Sequence, residues 1–137
     1  HPEPTEGSTV DANAARDIAV AIALTLFALS LTVYMTASVT KGPDQQPNSL
    51  IGIKTRATKS SAEAWVAAHR VAYPYMMAGA IHCLASAVLI AGLLVLGFVP
   101  ATAMLTLSAA LALGAGVILT MSGIKADREA KRHARIG

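Results

Sequence analysis

Long apolar stretches alternate with polar ones along this chain. Residues 18–40 carry no charged side chain, and neither do residues 71–98 or 101–124. A bilayer core of about 30 Å needs roughly 20 helical residues to cross it, so each stretch is long enough. The pattern predicts an all-α integral membrane protein with three transmembrane helices, near residues 18–40, 73–97 and 101–124.

The polar stretches divide the chain further. Residues 1–17 combine prolines, a glycine and several acids, which predicts a mobile tail; Asp11 is a plausible N-cap for a helix that leads into the membrane. Residues 41–72 form a long loop, and residues 97–101 form a tight turn. Residues 125–137 form a basic tail that we expect to be helical at first.

The second span has two possible beginnings, because Pro74 lies near its start. A helix can begin there, since a proline costs little in the first turn. Alternatively, a helix that starts earlier is kinked at Pro74. Ser60 stands three residues before Glu63, the spacing of a capping box. We therefore favour the kink, with a short interfacial helix over residues 61–72 followed by the span.

Composition supports the membrane assignment. Of the 137 residues, 54% are hydrophobic and 14% are charged, whereas soluble domains carry about 25% charged residues. The single cysteine, Cys83, excludes an internal disulfide framework.

The distribution of Lys and Arg predicts the orientation. The four polar segments hold 1, 5, 0 and 5 of these cations in chain order. Cytoplasmic segments are enriched in Lys and Arg. The counts therefore place the N-terminus outside, and the loop at residues 41–72 and the basic tail in the cytoplasm.

Most of the polar chemistry lies between Asn48 and Arg70. Three cations, Lys54, Arg56 and Lys59, fall within six residues. Trp65 and His69 are four residues apart, so they share one face of a helix. Gly52 allows the backbone to approach a partner closely.

The same segment resembles the signature loop of the SdpI family of bacterial membrane proteins. The resemblance covers roughly residues 48–95 and rests on a series of positions: Asn48, Gly52-Ile53-Lys54-Thr55, Thr58, Ser61, Glu63, Trp65 and His69-Arg70. Lys54, Arg56 and Ala57 stand where relatives usually have Arg, Pro and Trp. The founding member of the family is an immunity protein against a secreted peptide toxin. The resemblance therefore implies a multi-pass protein of the bacterial plasma membrane, of the immunity or signalling type.

We predict a partner-binding site in this loop, built from ten residues: Asn48, Gly52, Lys54, Thr55, Arg56, Thr58, Glu63, Trp65, His69 and Arg70. Two simpler interpretations compete with it. Trp65 is also typical of a side chain anchored at headgroup depth. The three cations of the loop are also typical of residues attracted to anionic lipid, and that attraction is the more ordinary explanation for them.

The spans contain fewer candidates. His82 lies near the middle of the second span, where an ionisable group suggests function. Since no other His, Asp or Glu occupies a span, we favour a neutral His82 bonded to a backbone carbonyl of a neighbouring helix or to a serine. The third span has small residues four apart, which favour close packing between helices; they are Ala110 with Gly114 and Ala112 with Gly116.

The residues suggest no enzyme: we find no carboxylate pair, nucleophile–base set, phosphate loop or metal cluster. We expect no cofactor, no metal and no nucleic-acid partner. Two functions remain open. The first is a non-enzymatic protein whose cytoplasmic loop recognises a peptide, lipid or protein partner. The second is an accessory subunit of a larger membrane complex, such as a respiratory or transport assembly.

The predicted orientation can be tested by cysteine labelling. A cysteine replacing Gly137 should react with a membrane-impermeant thiol reagent only after the cells are opened, because the basic tail is expected inside. Labelling in intact cells would show that the orientation is reversed.

Overall fold

The computed structural model describes residues 11–135 and contains three long helices. They are α1 (Ala12–Thr40), α2 (Ala62–Leu96) and α3 (Ala101–Ala134). The first ten residues of the predicted mobile tail lie outside the described residues. The helices confirm the predicted all-helical class, and their number is compatible with the three predicted spans.

Each helix is long and apolar enough to cross a membrane. The most apolar 18-residue windows of α1, α2 and α3 have mean hydropathies of 2.3, 2.3 and 2.0. Many large apolar side chains on their outer faces are exposed, among them Leu24, Val88 and Leu113. Exposed apolar surface of this extent is expected of a protein surrounded by lipid, and the chain is a multi-pass membrane protein.

α1 begins where the sequence predicts. The Asp11 carboxylate accepts a hydrogen bond from the Asn13 N–H at 3.2 Å, which satisfies one of the free amides of the first turn. Along the span, the hydroxyls of Thr25, Thr32 and Thr36 each donate to the carbonyl four residues earlier. These polar side chains are therefore satisfied within their own helix.

α2 differs from the prediction in its N-cap and in its course through Pro74. Its N-cap is Ser61, whose hydroxyl accepts from the Ala64 N–H at 3.1 Å, and not Ser60, which donates to the Ala57 carbonyl. The helix then continues through Pro74 without interruption, so residues 61–72 do not form a separate interfacial helix. A proline removes one backbone hydrogen bond, and helices that cross membranes tolerate this loss when neighbouring helices support them.

α3 extends ten residues past its predicted span, which confirms a helical start to the basic tail. Ion pairs one turn apart lie on this extension, with Lys131 2.6 Å from Asp127 and Arg132 3.1 Å from Glu129. Such pairs stabilise an exposed helix by only a few tenths of a kcal/mol each.

Small residues form the contacts between the helices. One cluster lies near the turn between α2 and α3 and includes Ala19, Ala87 and Ala115; the other lies near the loop and includes Ala37, Ala68 and Ala126. A methyl group at Gly79 would lie 2.7 Å from Leu119 Cδ2, so α2 and α3 approach closely there. Close approach of this kind supplies the van der Waals contact that holds helices together in lipid.

His82 takes part in this packing. Its Nε2 lies 3.0 Å from the carbonyl oxygen of Leu111 on α3, which can only accept, so Nε2 donates. A methyl group at Gly114 would lie 3.0 Å from the same nitrogen. His82 is therefore bonded to a backbone carbonyl of a neighbouring helix, which is the arrangement that the sequence favours.

The predicted small-residue motif of α3 is divided between two environments. Gly114 faces α2 through His82, whereas Ala110 and Gly116 are exposed. Ala112 and Gly116 lie together on an outer face with Leu113 and Val117. Only part of the motif therefore serves packing within the described chain.

Candidate functional site

The loop between α1 and α2 is held by its own side chains. The Asn48 carboxamide accepts from the N–H groups of Leu50 and Ile51, at 3.0 and 2.7 Å. The Lys54 ammonium donates to the carbonyls of Ser49 and Leu50, at 2.6 and 2.8 Å. These bonds satisfy backbone groups that no helix or strand satisfies, so Asn48 and Lys54 shape the loop.

Thr55 and Thr58 form a reciprocal pair. The Thr58 hydroxyl accepts from the Thr55 N–H at 2.9 Å, and the Thr55 hydroxyl accepts from the Thr58 N–H at 3.2 Å. The Thr58 hydroxyl also lies 2.7 Å from the Ile53 carbonyl, to which it donates. Thr58 is fully buried, so this pair fixes the second half of the loop from within.

Trp65 and His69 lie beneath the loop as a contacting pair. Their ring centroids are 4.2 Å apart, as their spacing on one helical face predicts. Both side chains are 0% exposed. Gly52 covers them with a φ of 122°, and a methyl group there would lie 2.6 Å from the Trp65 ring and 2.8 Å from His69 Nε2. Glycine is therefore required at position 52 both by its backbone conformation and by this contact.

His69 joins the loop to α2 through both ring nitrogens. Its Nδ1 lies 2.8 Å from the Trp65 carbonyl, which can only accept, so Nδ1 carries the proton. Its Nε2 then accepts from the Ile53 N–H at 2.9 Å. This arrangement needs a neutral imidazole, since a second proton on Nε2 would face a backbone donor.

Burial favours the same state. His69 lies in the first, polar turns of α2, which end at Arg70, and the apolar span begins after Arg70. Burial lowers the pKa of His69, and the hydrogen bond to the Trp65 carbonyl opposes this only in part. The loop contact and the burial therefore both select neutral His69.

The extension of α3 also contributes to the site, and the sequence did not predict this contribution. Lys131, which contacts the Asp127 carboxylate, and then the Thr55 hydroxyl lower the pKa of Asp127. Ile53 and Ala57 of the loop pack against the cluster that includes Ala126 and Ala130 of α3. The loop and this part of α3 are about 70 positions apart in sequence, and no local pattern connects them.

Four predicted site residues are exposed: Lys54, Arg56, Glu63 and Arg70. Hydrogen bonds from its own N–H and from Ser61 lower the pKa of Glu63. Glu63 and Arg70 line a shallow groove with Gln45, Gln46 and His133. The other predicted residues are buried or partly buried: Thr58, Trp65 and His69 are buried, and Asn48, Gly52 and Thr55 are partly buried.

A cavity of about 220 Å³ lies under the inner edge of the loop, where all three helices meet. Its walls come from every element: Val33, Thr36, Gly52, Ile53, Met76, Leu119, Ser122 and Gly123. The Ser122 hydroxyl is buried and has no hydrogen-bond partner among the described residues; the same is true of Trp65 Nε1. Leaving such a group unpaired costs about 1–3 kcal/mol.

The site contains donors, acceptors and cations, but no reactive pair. Glu63 is exposed at the start of α2, whereas His69 is buried with both nitrogens bonded. Between residues 11 and 135, no group of three His, Cys, Asp or Glu side chains is placed to hold a metal ion.

We expect Gly52→Ala to disturb the loop, because the added methyl group meets the Trp65 ring at a φ that alanine rarely adopts. Trp65 is the single tryptophan, so its fluorescence reports the change. Acrylamide should quench the variant more strongly than the wild type, with an emission maximum at longer wavelength. Gly42→Ala is the matched control, because its methyl group meets only the flexible Gln45 side chain. Equal quenching of both variants would contradict the assigned role of Gly52.

Acid should loosen the loop. The docked loop lowers the pKa of His69, so docking is complete above the ordinary histidine pKa of about 6.5 and weakens as the pH falls below it. Acrylamide quenching of Trp65 should therefore rise below about pH 6.5. The rise should persist in His133→Gln, which changes an exposed histidine, and disappear in His69→Gln. A rise that is unchanged in His69→Gln would assign it to another group.

Comparison with known proteins agrees with this geometry. The model of the SdpI/YfhL protein family matches residues 45–130, which include the whole signature loop, α2 and most of α3. Neither a curated protein nor a solved structure matches the chain. The family match covers more than half of the sequence and spans both the loop and the α3 extension that contacts it, and on this ground the chain belongs to the SdpI/YfhL protein family.

Proposed function

We propose that this protein is a non-enzymatic membrane protein of the bacterial plasma membrane that recognises a peptide, lipid or protein partner through the loop at residues 41–61 and the start of α2. Its role is of the immunity or signalling type. The observation that carries the proposal is the preorganised loop, in which buried Thr58, Trp65 and His69 support an exposed outer face. A rigid loop loses little conformational entropy when a partner binds.

The exposed face has the composition of a binding surface. Leu50 is 85% exposed at the tip of the loop, although it is a large apolar residue. Arg56 and Lys59 are exposed nearby, and neither forms an ion pair within residues 11–135. An exposed apolar side chain flanked by free cations suits a partner with both apolar and acidic groups.

The buried residues contribute indirectly. Trp65 and His69 are covered by Gly52, so a partner that meets the loop contacts its outer residues first. Trp65 and His69 then determine the shape in which Leu50 and Arg56 are presented. Lys54, Arg56 and Ala57 differ from the usual family residues, which favours a partner other than the toxin of the founding member.

A second function is supported by the outer face of α3. Leu113 and Val117 are 72% and 64% exposed there, beside Ala112 and Gly116. Small residues on a lipid-facing helix favour close contact with another helix. This face would serve an accessory subunit that packs against a larger membrane complex.

Photocrosslinking in native membranes separates the two functions. A benzoylphenylalanine at position 50 should give a discrete adduct with a partner, whereas one at position 24, exposed on α1, should give only lipid adducts. Trp65→Ala and His69→Ala should abolish the adduct at position 50, because truncating a buried aromatic side chain costs about 3–5 kcal/mol and releases the loop. His82→Leu should leave the adduct nearly unchanged.

Other outcomes would reject the loop. A protein adduct from position 113 and none from position 50 would support the accessory subunit. Loss of the position-50 adduct in His82→Leu, together with its retention in Trp65→Ala and His69→Ala, would place the site within the membrane instead. The amount of inserted protein is measured in parallel, so that loss of binding is distinguished from loss of the protein.

A further inference from the structure

The cavity under the loop lies at a particular depth in the membrane. Ser122 and Gly123 come at the end of the apolar part of α3, just before Lys125, and Thr36 lies one turn before the end of α1. At 1.5 Å per residue these positions are only a few Å inside the span. This depth corresponds to the boundary between the hydrocarbon and the headgroups, where the ester groups of phospholipids lie.

The walls of the cavity and the Ser122 hydroxyl indicate what kind of ligand fits there. Val33, Met76 and Leu119 supply apolar walls, and the Ser122 hydroxyl supplies a donor without a partner among the described residues. The volume of about 220 Å³ is below the range of about 300–1,000 Å³ for pockets that enclose a whole small molecule. The cavity therefore suits one segment of a longer apolar molecule that carries a hydrogen-bond acceptor.

We propose that this cavity binds an anionic glycerophospholipid of the loop-side leaflet. One acyl chain lies against Val33, Met76 and Leu119, and the Ser122 hydroxyl donates to the ester carbonyl of that chain. The headgroup phosphate lies near the exposed Arg56, which follows the cavity-lining Ile53 by three residues. The charge of Arg56 favours an anionic headgroup.

A lipid bound there would act on the loop. Gly52 and Ile53 line the cavity, and the same two residues contact Trp65 and His69. A chain in the cavity therefore packs against the inner surface of the loop while Leu50 on the outer face stays exposed. The lipid site shares the loop and Arg56 with the proposed partner function, but the acyl chain lies on the inner face of the loop and its binding is tested by a different measurement.

The glycines of α3 provide a matched pair of variants. A methyl group at Gly123, which lines the cavity, meets nothing within 4 Å, and neither does one at Gly116 on the exposed outer face. Gly123→Leu therefore fills the cavity without displacing backbone. Gly116→Leu makes the same chemical change on the same helix, away from the cavity.

Native mass spectrometry of the purified full chain in detergent tests the site, with dioleoyl phosphatidylglycerol and dioleoyl phosphatidylcholine as probes. The wild type should bind a single phosphatidylglycerol saturably and more tightly than phosphatidylcholine. Gly123→Leu should weaken binding by roughly tenfold or more, and Gly116→Leu by less than about twofold. Ser122→Ala should weaken both lipids by about fivefold, as expected for one hydrogen bond. Arg56→Gln should remove the preference for phosphatidylglycerol.

Several results would overturn the proposal. Equal weakening by Gly123→Leu and Gly116→Leu would show non-specific lipid at the surface, and so would binding that never saturates. Unchanged lipid binding in Ser122→Ala would also show that the lipid is not held in the cavity. If Gly123→Leu fails to fold, Ser122→Ala is the variant that tests the site. If the wild type binds no lipid but still gives the position-50 adduct, the lipid site alone is rejected. If the wild type binds the lipid but gives no position-50 adduct, the partner function alone is rejected.

Discussion

The hydrogen bond between the Ile53 N–H and His69 Nε2, 2.9 Å long, connects the irregular loop to the helical bundle. Backbone groups on the side of the loop that packs against the helices are shielded from water, so they need hydrogen-bond partners within the protein. Neutral His69 satisfies two such groups, one on the loop and one on α2. Asn48, Lys54 and Thr58 satisfy others, and together they give a folded loop without a strand or a helix of its own.

Packing against this connection sets the positions of the remaining parts. Gly52 must be a glycine, because the Trp65 ring occupies the space of a side chain there. Ile53 packs among alanines contributed by α1, α2 and α3. Ala57 of the loop packs against the same cluster, which includes Ala126 and Ala130 of α3. The loop therefore holds the three helices together at one end of the bundle, while small residues and the bond from His82 to Leu111 hold them within the membrane.

This organisation divides the residues of the loop and the start of α2 into two groups. The aromatic pair and the threonines are buried and act on the shape of the loop, whereas Leu50, Arg56 and Lys59 are exposed and available to other molecules. Changes among the exposed residues can alter what is bound without altering how the loop folds. The departures at Lys54, Arg56 and Ala57 from the usual family residues lie on or beside this outer face.

The sequence alone determined the membrane class, the three spans, the Asp11 cap and the shared face of Trp65 and His69, because these follow from local periodicity and from charge-free length. It also identified Gly52 as a special position, although not the reason. Only the tertiary structure showed that residues 62–72 form one continuous helix with the second span and not a separate interfacial helix. It also showed contacts between residues far apart in sequence: the burial of Trp65 and His69 under Gly52, the packing of the loop against α3 and the cavity at Ser122. No spacing within a single helix or loop encodes such contacts, since they depend on how the three helices pack.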